Sequence, residues 1–168
     1  MESPVSAHDE FHLCLKIGDP AGQTTLELLA FLVAIRLWAA MFRCKARKLL
    51  IKSDSSAALA AVGRLASGVA VLNFLAGEIS MCMEENDMEG IVATHVAGKL
   101  NVIADYLSRL HAPGAKDKQP SALVGTRPQA PPERRQSYYR LPSPGAAPRL
   151  WAARAGDPCD LLASGLVP

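Results

Sequence analysis

Apolar residues recur along the first 110 positions with periods that change from segment to segment, and each change marks an element. Phe11, Leu13, Leu15 and Ile17 alternate with His12, Cys14 and Lys16, which predicts a strand closed by the turn signal Gly18-Asp19-Pro20. Thr24-x-x-Glu27 has the form of a capping box and predicts a helix reaching about Phe42. Lys48–Ser53 is a short apolar run ending at Asp54 and predicts a buried strand. Ser55–Ala66 carries apolar residues at helical spacing, with Gly68 as its close, and Leu72–Met83 predicts a further helix whose acidic end runs into a turn. Gly90–Thr94 predicts a second strand, followed by a loop over 96–100 and a last helix capped by Asn101 and ending near Leu110. Strand–helix–strand–helix–helix–strand–helix is an α/β order, in which crossovers build a parallel sheet.

Composition separates this body from the remainder of the chain. Ten of the twelve prolines lie after residue 112. Residues 1–110 hold 10 Lys and Arg against 12 Asp and Glu, whereas residues 111–168 hold 8 against 4. The expectation is an ordered domain over 10–110 and a basic, Pro/Ala/Gly-rich, disordered tail over 111–168, too poor in core-forming residues to offset its ordering entropy. The four cysteines are scattered without a C-x-x-C, which supports neither a zinc site nor a disulfide framework and fits reduced thiols in an intracellular protein of the cytoplasm or nucleus. The polar, acidic start has no secretory signal. Leu26–Phe42 is apolar nearly all round, but it is only 17 residues long and contains Glu27 and Arg36, so a buried core helix is expected rather than a membrane span.

Three carboxylates carry the candidate chemistry. Each has an ordinary explanation: Glu27 completes a capping box, Asp54 caps the helix after it, and Asp105 pairs with Arg109 one turn on. Their joint placement points elsewhere. Ligands of α/β sheets gather at the carboxyl ends of parallel strands. Asp54 follows one such strand, His95 closes the next, Asp105 lies on the helix beyond, and Glu27 opens the helix packed beside them. Carboxylates converging there would repel one another unless divalent cations neutralised them, and two Mg²⁺ or Mn²⁺ ions are what phosphodiester hydrolysis uses.

The segments T-L-E-L-L-A-F-L-V-A-I-R-L-W, L-L-I-K-S-D-S-S-A-A-L and H-V-A-G-K-L-N-V-I-A-D-Y-L-S-R resemble the ribonuclease H domain of retrotransposon reverse transcriptases, especially the gypsy-like and DIRS-like kinds. The resemblance covers roughly residues 10–110. It implies a ribonuclease H-like fold, here a truncated sheet of about three strands with flanking helices. It matches Glu27, Asp54 and Asp105 to the second, third and fourth metal-binding carboxylates, and His95 to a mobile histidine aiding water entry or product release. The implied activity is metal-dependent endonucleolytic cleavage of RNA in RNA–DNA hybrids, with a reverse transcriptase module upstream. Two departures stand out. Ala97-Gly98 replaces the family's frequent Pro-Gly, and the family's first catalytic Asp has no counterpart on a strand, since Asp9 and Asp19 are the only earlier candidates. The family's first two strands therefore lack a match. Nuclease activity is expected to be weak or absent, and the strand at 11–17 is expected to pair directly, in parallel, with 49–53.

Other basic features admit nucleic acid as a partner. Arg43–Lys48 can touch a phosphate backbone or simply solvate a helix end. Arg134–Arg140 mixes arginine with tyrosine as single-strand binders do, or is a plain linker. Three readings remain open at this stage: an RNase H remnant, a non-catalytic nucleic-acid-binding module with the same fold, and a small α/β protein whose acids are only caps and surface charges.

Overall fold

The longest apolar run becomes the central helix of the molecule. The computed structural model describes residues 4–42, 48–110, 119–127, 129–131, 133–142 and 144. In chain order they form helices α1 (Ala7–Leu13) and α2 (Gln23–Phe42), strand β1 (Lys48–Ser53), helices α3 (Ser56–Arg64) and α4 (Ala70–Glu85), strand β2 (Gly90–His95) and helix α5 (Val102–Arg109). By length and composition alone α2 could cross a membrane. Here it packs against α3 and α4, with Leu28, Leu32 and Ile35 along one stripe and Leu29 and Val33 beside it, all buried. α4 answers with Leu72, Leu75, Ile79 and Cys82 at turn-by-turn spacing, and α3 adds Ala58, Leu59, Ala61 and Val62. Together they form one core.

The α/β class expected from the sequence is present, with five helices and a two-stranded parallel sheet among the described residues. β1 pairs with β2 from Lys48↔Gly90 through Leu50↔Val92 to Ser53↔His95, and α3 and α4 supply the crossover that parallel strands require. One face of the sheet carries Leu49, Ile51 and Ser53 beside Ile91, Ala93 and His95 and packs under α3, where a Cβ on Gly63 would lie 3.6 Å from that of Ala93. The other face is open: Leu50 is 55% exposed and Val92 48%.

The expected third strand is not formed. Residues 7–13 are helical instead, so no pairing between 11–17 and 49–53 exists, and β1 has β2 as its sheet neighbour. The alternation was misleading because its members do not share a face: Leu13 is buried, while Phe11 is 63% and Ile17 58% exposed. The local signal that decides is a capping box. Ser6 Oγ accepts from the Asp9 amide at 3.2 Å, and Asp9 Oδ2 accepts from the Ser6 amide at 2.8 Å. Two smaller expectations also shift. α2 begins at Gln23, continuing a 3-10 turn over Pro20–Gly22 whose cap is Asp19, so Thr24 and Glu27 lie inside the helix rather than forming its box. α3 closes at Leu65, held in the left-handed region at φ 50°, and not at Gly68.

The expectation of disorder beyond residue 111 fails for 133–141, which cross α1, α2 and α4 as a strap. Arg134 lays its guanidinium on Asp9, with Nε 2.9 and 3.0 Å from the two carboxylate oxygens and Nη2 at 2.8 Å; Asp9 is 0% exposed. The Tyr139 hydroxyl donates to the same carboxylate at 2.5 Å, and its ring packs against His12 and Phe74. Glu78 on α4, also 0% exposed, accepts from Arg36 and from the backbone amides of Arg140 and Leu141 at 2.7 and 2.6 Å. Arg36 in turn donates to the Tyr138 carbonyl and lies 4.5 Å from the centre of that ring. Two buried acids thereby take donors from one short segment, with Arg36 of α2 completing the partners of Glu78. Of the tail expected to be disordered, residues 111–118, 128, 132, 143 and 145–168 lie outside the described residues, as do Arg43–Arg47 of the basic patch.

Candidate functional site

The parallel register brings two of the four sequence-predicted residues to one end of the sheet. Ser53 faces His95 as the last pair, so Asp54 follows β1 at the level where His95 ends β2. The Val96 amide extends the ladder by donating to the Ser53 carbonyl at 2.9 Å. The chain then turns through a 3-10 stretch at Gly98–Leu100 and folds back over Asp54. Asn101 Nδ2 donates to Asp54 Oδ1 at 3.0 Å, and a Cβ placed on Gly98 would sit 3.2 Å from Asp54 Oδ2. Glycine at 98 is what allows the backbone this close to the carboxylate.

Asp54 is therefore not a helix cap. Ser55 caps α3, its hydroxyl accepting from the Ala58 amide at 3.3 Å, which leaves the Asp54 side chain for the loop. Asn101 departs from expectation in the matching way. It precedes α5 but makes no side-chain cap, because its amide is turned to Asp54. The signal for this contact was present in the spacing of Gly98 and Asn101, but a contact across 47 positions is invisible to local periodicity.

The remaining carboxylates take their ordinary partners. Asp105 Oδ1 accepts from Arg109 at 2.9–3.0 Å across one exposed helical turn. Glu27 Oε1 accepts from Gln23 Nε2 at 3.3 Å within α2, while its Oε2 is buried and has no hydrogen-bond partner among the described residues. His95 is exposed. Among the described residues, no three His, Cys, Asp or Glu side chains stand close enough together to hold a metal ion. Glu27, Asp54 and Asp105 thus do not form the joint site expected of them, and the pair of Mg²⁺ or Mn²⁺ ions implied by the resemblance does not fit this donor set. Asp9 and Asp19 do not supply the absent first carboxylate either: Asp9 is locked to Arg134, and Asp19 accepts from the Ala21 amide at 2.9 Å.

The residues with the most demanding electrostatics lie elsewhere, where Asp9 meets Arg134 and Tyr139, a contact the sequence analysis did not anticipate. Burial pushes the Asp9 carboxyl up, but hydrogen bonds from Arg134, Tyr139 and the Ser6 amide, with the Arg134 charge, hold it below the usual carboxylate value. Burial raises the Tyr139 hydroxyl well above its ordinary value, and the Asp9 charge adds to the shift. The chain matches no family model, no curated protein and no solved structure.

Proposed function

We propose that this chain is a remnant of a retroelement ribonuclease H domain, descended from an enzyme that cleaves the RNA strand of RNA–DNA hybrids, and that as it stands it does not catalyse that reaction. The observation that carries the ancestry is the contact of Asn101 and Gly98 with Asp54. It joins the second and third sequence segments of the resemblance at the carboxyl end of two adjacent parallel strands, where ligands of α/β sheets gather. What argues for lost catalysis is the engagement of the acids: Asp54 by Asn101, Asp105 by Arg109 and Glu27 by Gln23, with no three-ligand cluster among the described residues.

A non-catalytic role on nucleic acid is the second reading, favoured by the open sheet face, where Lys48 and Lys52 stand exposed on either side of Leu50. Such lysines neutralise phosphates without reading sequence. The discriminating experiment incubates the full chain with a labelled RNA–DNA hybrid and Mg²⁺ or Mn²⁺, and measures cleavage and binding side by side. Absence of cleavage with salt-sensitive binding, weakened by Lys48→Ala/Lys52→Ala, supports a remnant that retains binding. Metal-dependent cleavage lost on Asp54→Asn would overturn the loss of catalysis. Neither cleavage nor binding would remove nucleic acid from the account.

A further inference from the structure

The strap over 133–141 makes its contacts as a bound peptide does rather than as a regular element. Its only helical geometry is a 3-10 turn over Gln136–Tyr138, and 22 residues separate its first member, Glu133, from Leu110 after α5. Its attachments are side chains and backbone amides set between helices. Arg134 and Tyr139 enter at Asp9 of α1, Tyr138 lies under Arg36 of α2, and the amides of Arg140 and Leu141 close on Glu78 of α4. Arg140 pairs with Glu85, and Leu141 lies so close to α4 that a Cβ on Gly77 would be 2.7 Å from its Cδ1.

The seat has a property that an ordinary helix surface lacks. Asp9 and Glu78 are both fully buried. With the strap gone, Asp9 loses its only ion-pair partner among the described contacts and Glu78 loses two amide donors. A buried carboxylate stripped of its partners is strongly unfavourable, so the seat favours being filled. Whatever fills it must bring a guanidinium for Asp9, a hydroxyl-bearing ring to share that carboxylate, and two successive backbone amides for Glu78.

We propose that the surface between α1, α2 and α4 is a peptide-recognition seat, occupied in cis by residues 133–141, whose occupant in trans is a protein segment with arginine followed five residues later by tyrosine. The tether makes the cis occupant hard to displace. Tethering on the same chain holds a ligand at an effective concentration around millimolar, so a partner at micromolar concentration engages only when the strap is weakened. Nothing in this proposal depends on the ancestry of the sheet end.

The test uses the full chain and a fluorescein-labelled peptide spanning residues 133–142. Arg134→Ala/Tyr139→Ala weakens the cis strap, and that variant should bind the peptide at least tenfold more tightly than the wild-type chain. Adding Asp9→Asn to it should abolish binding. The register is checked in the peptide itself. Its Arg134→Ala form should bind more than tenfold more weakly, whereas its Arg135→Ala form should bind unchanged, because Arg135 is exposed and its ion pair among the described residues is with Glu133 of the strap itself. A folded strap-weakened variant that ignores the peptide, or equal losses for the two arginines, would overturn the proposal. Should that variant fail to fold, isotope-labelled wild-type chain replaces it. Millimolar unlabelled peptide should then move the Arg140 and Leu141 amide signals to their released positions, and unmoved signals would likewise overturn it.

Discussion

Arg134→Ala tests the buried network at its most exposed weakness, namely its dependence on a single guanidinium. The substitution strips Asp9, fully buried in the intact protein, of its guanidinium and leaves the Tyr139 hydroxyl and the Ser6 amide as its donors among the described residues. Breaking a buried pair by removing one partner costs about 3–5 kcal/mol. Against a total stability of roughly 5–15 kcal/mol this is a large fraction. For a domain of this size it corresponds to a fall in Tm of roughly 10–20 °C. The pH dependence separates this explanation from simple loss of packing. In the wild-type chain the Asp9 carboxyl is held below its ordinary value of 3.8, so its contribution is fully present above that value and is lost as pH falls through the lower folded value. In the variant the guanidinium no longer holds the carboxyl down, and burial is left opposed only by the two weaker hydrogen bonds. The stability gap between the two proteins should therefore be widest near pH 7 and should narrow as pH falls, first through the released Asp9 value of the variant and then through the lower value of the wild type. Urea unfolding at a series of pH values measures it directly. A gap below about 0.5 kcal/mol at neutral pH, the size of a surface substitution, would refute the buried pair. A gap independent of pH would refute its electrostatic origin.

Three further outcomes rest on particular contacts. Gly77→Ala should change stability little in the wild-type chain, because the gain in helix propensity is offset by the push against Leu141; combined with Leu141→Ala it should be worth about 1 kcal/mol more than in the wild type, read from a double-mutant cycle in urea. Asp105→Asn should cost no more than about 0.5 kcal/mol, since it removes an exposed pair across one helical turn; a larger loss by thermal unfolding would mean that Asp105 serves more than Arg109. Addition of 10-fold excess Mg²⁺ or Mn²⁺ should leave Tm unchanged, because the carboxylates are engaged by side chains and not gathered; a rise with metal that disappears in Asp54→Asn would restore the metal site.

Helices and strands that rest on local periodicity were legible in the sequence. α2, α3, α4, β1, β2 and α5 stand within a few residues of their expected bounds, because apolar spacing and turn residues agree at each. The failures have physical causes. At 11–17 a short alternating pattern competed with a Ser6-x-x-Asp9 capping box, and the box, which satisfies two amides at once, prevailed. At 133–141 the proline-rich surroundings concealed a segment whose order comes from pairing across 125 and 130 positions, a kind of contact that no window of sequence reports. At the candidate site, the meeting of Asp54 with the loop after His95 could be anticipated from strand order. The ties of Glu27 and Asp105 to neighbours on their own helices could not be told apart from a converging cluster, because the same letters serve both.

The pairing of Asp9 with Arg134 and Tyr139 also sets a schedule for the molecule's own synthesis. The first helix emerges from the ribosome more than a hundred residues ahead of the groups that neutralise its buried acid. Until they arrive, the Asp9 carboxylate lacks the guanidinium and hydroxyl that satisfy it in the finished fold, so docking of α1 is less favourable than it will become. Closure over so great a sequence separation is slow. The buckle is thus fastened late, and any stop signal before residue 139 leaves a polypeptide that cannot fasten it.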